Sequence, residues 1–200
     1  AYEYTMETDV RVKLSGASRP FSGDMRTDLA QLGYVPKRSL YTATETLRGE
    51  MPSNATDWIL VELLDTQSGV SMAAEQAILR CDGAVLNDQG HTGLRLETSP
   101  GSYFLAIKHR NHLAVMSSQP LDYTHATVYY DFTTGPDKAR DGAGSLVEVM
   151  PGVWGLIAGD ADGDGKITTT DKAIVQQQIG RTGYLAGDLN LDGIVNTNEP

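Results

Sequence analysis

The sequence predicts a mainly β protein: an antiparallel β-sandwich, immunoglobulin-like or jelly-roll-like, followed by a small loop–helix module. Short apolar segments recur between residues 58 and 158, separated by turns rich in Gly, Pro and Asn, a pattern typical of antiparallel sandwiches. The first fourteen residues alternate as a strand does, and an aspartate-rich loop occurs twice after residue 159. We therefore expect a β-sandwich domain at residues 1–158 and a separate module at 159–200.

The N-terminal segment predicts a long strand. Charged side chains alternate there with a face formed by Tyr2, Tyr4, Met6, Thr8, Val10, Val12 and Leu14. This period of two indicates a half-buried strand. Because strands average about 5 to 6 residues, one of this length either bends from one sheet into another or projects beyond its own domain.

The following residues predict a short helix and then many strands. Asp24 is placed to cap a helix on which Met25, Leu29 and Leu32 share a face, and residues 41–47 alternate weakly as a strand. Further strands are expected at 58–65, 73–81, 84–87, 93–97, 103–110, 113–117, 126–132, 145–150 and 153–158.

Two twelve-residue loops, DADGDGKITTTD and DLNLDGIVNTNE, align position by position. Positions 1, 3, 5, 7 and 12 are Asp160, Asp162, Asp164, Lys166 and Asp171 in the first loop, and Asp188, Asn190, Asp192, Ile194 and Glu199 in the second. Ca²⁺ takes about six to eight oxygen ligands, from side chains and from the backbone carbonyl at position 7. The spacing therefore predicts two bound Ca²⁺ ions. Position 9, Thr168 or Asn196, would contribute through its side chain or a water.

Position 8 of each loop is apolar. Ile167 and Val195 occupy it, and we expect the two loops to pair back to back and bury these side chains. Gly165 and Gly193 at position 6 permit the sharp turn, since glycine has no Cβ to forbid a positive φ.

The order of loop, helix (171–179), linker and second loop resembles the dockerin module, which has no incoming helix before each loop. The resemblance implies a partner of the cohesin class. In dockerins the residues before position 12 read the cohesin, and Thr169 and Thr170 hold those places in the first loop. Glu199 stands where dockerins usually have Asp.

Three segments of the β region, DWILVELLD, AILRCDGAVLND and YFLAIKHRNHLAVMS, resemble a domain found beside dockerin-type repeats in large secreted bacterial surface proteins. This resemblance implies an extracellular or cell-surface location and no particular activity. The chain begins with Ala and has no signal-peptide pattern, which we interpret as a mature secreted form.

Composition excludes several classes of function. Asp and Glu outnumber Lys and Arg by 26 to 16, and there is no basic patch, which argues against nucleic-acid binding. No segment approaches the roughly 20 apolar residues of a membrane span. The lone Cys81 cannot form an intrachain disulfide, and we expect it in the core. The motifs GxSxG and HExxH and a glycine-rich phosphate loop are absent from the sequence, so we expect no enzymatic activity.

The densest polar cluster of the β region is His109, Arg110, Asn111 and His112. Two histidines at this spacing are compatible with a metal site. We favour a hairpin with Asn111 and His112 in the turn. His91 and His125 have no assignable partner.

Carbohydrate binding requires exposed aromatic side chains. The candidates are Tyr129, Tyr130, Trp58, Trp154 and Tyr103. Tyr129 and Tyr130 point to opposite faces of a strand, and the two tryptophans are expected in the core.

Three functions remain after these exclusions. The favoured hypothesis is a calcium-stiffened subunit of a fibre or surface layer, in which Tyr2, Tyr4 and Met6 insert into a neighbouring copy by strand addition. The alternatives are a dockerin-bearing module that docks on a cohesin scaffold and a carbohydrate-binding or adhesin module.

Overall fold

The computed structural model describes residues 5–19, 21–41, 49–124 and 127–200. The strands are β1 (Thr5–Arg11), β2 (Ala55–Asp65), β3 (Ser71–Arg80), β4 (Val85–Leu86), β5 (Leu94–Glu97), β6 (Ser102–His109), β7 (His112–Met116), β8 (Leu121–Asp122), β9 (Val128–Asp131), β10 (Leu146–Met150) and β11 (Val153–Leu156). The α-helices are α1 (Asp28–Gln31) and α2 (Thr169–Gln178). The mainly β class expected from the sequence is confirmed.

The strands form curled sheets, consistent with a β-sandwich. A six-stranded sheet has the order β4–β3–β2–β6–β7, with β8 paired to β6, and a three-stranded sheet has the order β5–β1–β9. β10 and β11 form a separate hairpin. The expectation of purely antiparallel sheets is wrong, because β1 and β9 are parallel. The long stretch of chain between them allows this pairing, which a hairpin connection could not.

The N-terminal segment bends between sheets, which was one of the two alternatives for its length. Residues 5–8 pair with β5 and residues 8–11 with β9. Beyond β1, the Val12 N–H donates to the Gly83 carbonyl, and Leu14 forms a parallel bridge with Leu156 in β11. One continuous stretch thus connects the three-stranded sheet to the β10–β11 hairpin.

The fibre hypothesis required Met6 as an inserted side chain for a neighbouring copy. Met6 instead pairs with Leu96 and packs against the chain's own core. This part of the hypothesis is corrected, because Met6 pairs with β5 and its side chain packs within the same chain. Tyr2 and Tyr4 lie outside the described residues.

The core lies between the curled sheets and includes the inward face of the N-terminal segment. Thr8, Val10, Val12 and Leu14 are fully buried, in agreement with the predicted alternation. Cys81, expected in the core, is only half-buried.

The predicted helix at Asp24 is shorter and later than expected. Thr27, not Asp24, precedes its first residue, and Leu32 is 54% exposed while Met25 and Leu29 are buried. The reason is a backbone bridge: the Met25 N–H donates to the Cys81 carbonyl, and Met25 also pairs with Ser18. Those residues are therefore extended, and helical geometry starts only after them. The strand expected at 41–47 lies almost wholly outside the described residues.

No helix in the described part of the chain has the length and apolar character needed to span a bilayer.

Candidate metal centre

The first loop brings three carboxylates together. One ligand oxygen from each of Asp160, Asp162 and Asp164 lies within 4.8 Å of the others. The Gly165 N–H donates to Asp160 Oδ2 at 3.0 Å, and the Asp164 N–H donates to Asp162 Oδ1 at 3.1 Å. Asp171 closes the loop by accepting from the Asp162 N–H at 3.2 Å. The loop backbone therefore turns its carboxylates toward one point.

The second loop has the same hydrogen bonds in the same register. The Gly193 N–H donates to Asp188 Oδ2 at 2.9 Å, and the Asp192 N–H donates to Asn190 Oδ1 at 2.9 Å. Glu199 Oε2 accepts from the Asn190 N–H at 3.1 Å, as Asp171 does from Asp162. Glutamate at position 12 thus closes this loop with the bond that aspartate makes in the first.

Asp160 has an orphaned oxygen. Its Oδ1 is buried and has no hydrogen-bond partner, while its Oδ2 is occupied by Gly165. Taking such an oxygen out of water without a partner is unfavourable. A cation beside Asp160 Oδ1 would satisfy it, so the residues present fit a hard metal ion such as Ca²⁺.

Burial changes the proton affinity of the loop carboxylates. It raises the pKa of Asp160, raises that of Asp188 to about 6, and raises that of Glu199. Burial also acts on Asp171, but backbone N–H donors, among them Thr168 and Asp162, outweigh it and hold its pKa below the usual value. Crowded, desolvated carboxylates of this kind gain from a bound cation.

Position 9 of the first loop has a structural role in addition to the one predicted from the loop spacing. Thr168 is the N-cap of α2: its side chain accepts from the Thr170 N–H, and Asp171 completes a capping box. Asp171 is thus both the closing residue of the loop and part of the helix cap. α2 spans 169–178 against the expected 171–179, and the exposed Thr169 and Thr170 form its first turn.

The back-to-back pairing expected for Ile167 and Val195 is wrong. The Val195 N–H donates to the Arg181 carbonyl, and the Val195 carbonyl accepts from the Gly180 N–H. Val195 is fully buried, but Ile167 is 49% exposed. The linker after α2 takes the pairing position beside the second loop, so the two loops differ sharply in burial.

A buried polar junction connects the segment just before the second loop to β2 and the β6–β7 turn. Asp57 accepts from Arg110 Nε at 2.9 Å and from the Tyr184 hydroxyl at 2.5 Å. The guanidinium of Arg110 also donates to the Leu185 carbonyl and lies 4.3 Å from the centroid of the Tyr184 ring. Burial works against ionisation of Asp57, but the charge of Arg110 and bonds from His109 and Tyr184 hold its pKa far below the usual value.

The two histidines beside this junction form a hydrogen-bond chain. The Gly16 N–H donates to His112 Nε2, so His112 carries its proton on Nδ1, which lies 2.8 Å from Asn111 Oδ1 and 3.0 Å from His109 Nδ1. His109 Nε2 then donates to Asp57. Every ring nitrogen has a protein partner, so this cluster does not support the metal-site alternative.

The hairpin interpretation of this cluster is correct, with one change of register. The turn consists of Arg110 and Asn111, and His112 begins β7 opposite His109. Elsewhere, His91 lines an open polar cavity of about 460 Å³ together with Glu7 and Arg95, and His125 lies outside the described residues.

The aromatic candidates do not form a common platform. Trp58 and Tyr103 are buried, Tyr130 and Trp154 pack partly against the core, and Tyr129 is 59% exposed. A single exposed tyrosine gives no support to carbohydrate binding.

The junction residues Asp57 and Tyr184 are not among the functional residues predicted from the sequence. Asp57 lies in a strand of eleven residues that also contains Glu62 and Asp65, so its charge alone does not single it out in the sequence. Nothing local marks Tyr184, because its partner is 127 residues away.

Comparisons with known proteins give no family assignment. No protein-family model matches the chain, and no curated protein matches it. Among solved structures, it is similar to a chain of a type II cohesin–X–dockerin complex of Acetivibrio cellulolyticus with an N-terminal interface mutation, at 13% identity and a TM-score of 0.47. A C-terminal interface mutant of that complex matches at 11% identity and a TM-score of 0.42. Each match covers 97% of this chain and 90% of the other. Likeness at this level carries no conclusion about function.

Proposed function

We propose that this chain is a non-enzymatic, extracellular calcium-binding docking module. Its β domain holds a dockerin-like C-terminal module and presents the first loop and α2 to a protein partner of the cohesin class. The observation that carries the proposal is the difference in burial between the loops. At positions 3 to 11 every residue of the first loop (162–170) is exposed, whereas in the second loop (190–198) only Ile194, Thr197 and Asn198 are exposed.

Calcium is the ion that best suits both loops. In the first, Asp160, Asp162, Asp164, Asp171 and the carbonyl of Lys166 would hold it; in the second, Asp188, Asn190, Asp192, Glu199 and the carbonyl of Ile194 would do so. The orphaned Asp160 Oδ1 supports this assignment. Bound calcium would neutralise carboxylates that otherwise repel one another.

The exposed face of the module has the character of a docking surface. Asp171 is the single buried side chain of α2. Ile167 and Ile179, at either end of the helix, are each about half exposed, and Lys166 and Lys172 are exposed beside them. Next to Ile167, Val175 and Leu189 line a cavity of about 310 Å³. A mixed apolar and basic surface suits a partner with apolar and acidic side chains.

The fibre hypothesis is not carried forward. Its inserted strand required a free N-terminal segment, and from Thr5 onward that segment is paired within the chain. The carbohydrate alternative lacks an aromatic surface among the described residues.

The test is binding of the purified chain to a panel of cohesin domains in calcium and in excess chelator. We expect binding only in calcium. Ile167→Asp should weaken it at least about tenfold, which corresponds to about 1.4 kcal/mol. The matched control is Val70→Asp, on a similarly exposed residue of the β2–β3 turn. Absence of binding to every cohesin in calcium, or an equal loss in both variants, would contradict the docking function.

A further inference from the structure

The second loop contains an unusual backbone conformation. Leu191, at position 4, has φ = 58° and is the one non-glycine residue with positive φ in the described part of the chain. The first loop has Gly163 there, with φ = 73° and open space around it. An L side chain is disfavoured in this region, so something must compensate at Leu191.

Burial of the side chain provides that compensation. Leu191 is 1% exposed and belongs to the same apolar cluster as Val12, Leu14 and Leu29 of the β domain. Leaving that cluster would return a large apolar side chain to water. The loop conformation and the insertion of Leu191 therefore require each other.

The β domain also fixes the backbone at position 1 of the second loop. Asn111 Nδ2 donates to the Asp188 carbonyl at 2.7 Å and to the Ala186 carbonyl at 3.1 Å. Gly16 lies so close to the Leu189 carbonyl that a Cβ would collide with it. The β6–β7 turn thus contacts position 1, and the end of the N-terminal segment packs against position 2.

The first loop is attached to the β domain at its start. The Gly159 N–H donates to the Asn111 carbonyl, and Asp160 and Ala161 are buried, but residues 162–170 are exposed. Its equivalent of Leu191 has no side chain to insert. Changes in the first loop therefore have no comparable route into the core.

We infer that Leu191 and Asn111 are positioning residues that preorganise the second loop, so that calcium bound there stabilises the β domain while calcium in the first loop does not. The inference rests on the proposed function for the identity of the ion. The preorganisation itself is a property of the chain alone.

The calcium test uses unfolding followed by tryptophan fluorescence, since Trp58 and Trp154 both lie in the β domain. At a calcium concentration of about 100 Kd, one coupled site multiplies the folding constant about 100-fold. We expect Asp160→Ala to retain this gain and Asp188→Ala to lose it. Leu191→Gly should lose most of the gain, whereas Gly163→Ala, its match in the first loop, should not. The same gain in Leu191→Gly as in the wild type would overturn the inference.

Amide hydrogen exchange measured in excess chelator tests the preorganisation of the second loop independently of the proposed function. Without any metal, amides of residues 188–195 should be protected in the wild type and exchange at least about tenfold faster in Leu191→Gly. Asn111→Ser provides a second variant with the same expectation should Leu191→Gly fail to fold. Unchanged exchange would refute preorganisation even if calcium binds. If calcium does not bind but exchange is faster in Leu191→Gly, the assignment of the ion is wrong and the positioning role of Leu191 is still supported.

Discussion

Asp57 and Arg110 form an ion pair with Nε to Oδ2 at 2.9 Å, and both side chains are almost completely removed from water. Such a pair is strongly destabilising to break, because the remaining charge stays buried without its partner. The pair also contacts the C-terminal part of the chain through Tyr184 and Leu185. Asp57 therefore holds together two regions that are far apart in sequence.

Asp57→Ala should lower the free energy of unfolding by about 3 to 5 kcal/mol, the usual cost of stranding one member of a buried pair. Urea denaturation measures this directly. The exposed pair of Lys37 and Glu50 serves as the control, since Glu50→Ala should cost no more than about 1 kcal/mol. Comparable losses in the two variants would mean that the junction contributes little.

Stability should fall as the pH is lowered from 7.5 to 5.5. Burial lowers the pKa of His109 and, with the charges of His109 and Arg110, lowers that of His112 well below the usual value; the Asp57 carboxylate opposes both shifts. The unfolded chain then binds protons below about pH 6.5 that the folded chain does not, so unfolding is favoured as pH falls.

The measurement for this pH dependence is the urea midpoint of the wild type and of His112→Gln across that range. Asp188, with a pKa raised to about 6 by burial, contributes with the opposite sign in calcium-free protein, so the difference between the two proteins is the informative quantity. His112→Gln should show the weaker decline. A wild-type slope in His112→Gln would rule out the histidine chain as the cause.

Calcium titration should show two sites, with a Kd of about 10⁻⁴ to 10⁻³ M as in extracellular modules. Asp160→Ala and Asp188→Ala should each reduce the stoichiometry from two ions to one, and the double variant should bind none. Isothermal titration calorimetry gives the counts, with the exposed Asp141→Ala as control. Two ions in either single variant would show that the ligands have been assigned wrongly.

Gly16→Ala should destabilise the protein by about 1 to 3 kcal/mol, the usual cost of forcing an extra methyl group into a packed site. The new Cβ would collide with the Leu189 carbonyl, and one of the two backbones must move. Gly49→Ala is the control, since nothing lies within 4 Å of its Cβ position. Thermal unfolding distinguishes them: equal midpoints would contradict the close approach of residues 16 and 189.

Thr8→Val should cost about 1 to 3 kcal/mol, because it leaves buried polar groups unpaired. Thr8 Oγ1 donates to the Val128 carbonyl and accepts from the Tyr123 hydroxyl, both at 3.2 Å. Thr5→Val, on an exposed residue of the same strand, should be nearly neutral in denaturant unfolding. A neutral Thr8→Val would indicate that water replaces these bonds.

The local pattern of apolar residues and turns in the sequence predicted most of the strands. The alternation at residues 8–14 fixes which face of the N-terminal segment is buried, because a strand repeats every two residues. The turns rich in Gly and Pro placed the strand ends of β2 to β7 within a few residues. The parallel pairing of β1 with β9 could not be predicted from local sequence, because the two strands are 120 residues apart and their pairing depends on the packing of the whole core.

The candidate site was predictable only as far as the loop spacing extends. The aspartates and glycines of the two loops match position by position, yet the first loop is much more exposed than the second. The difference depends on Leu191 replacing glycine at position 4 and on contacts from Asn111, 77 residues before Asp188. The repeat in the sequence shows neither the burial of Leu191 nor the contacts from Asn111.

The insertion of Leu191 into the β-domain core also has a consequence for exchanging parts between proteins. The sequence alone suggests dividing the chain between residues 158 and 159. A segment transferred from that point would carry Leu191 in a disfavoured conformation but would lack the core that buries its side chain. The first loop with α2 is the portion that could be replaced by another sequence. A recombinant or evolutionary swap of the whole C-terminal module would have to carry the β6–β7 turn with it.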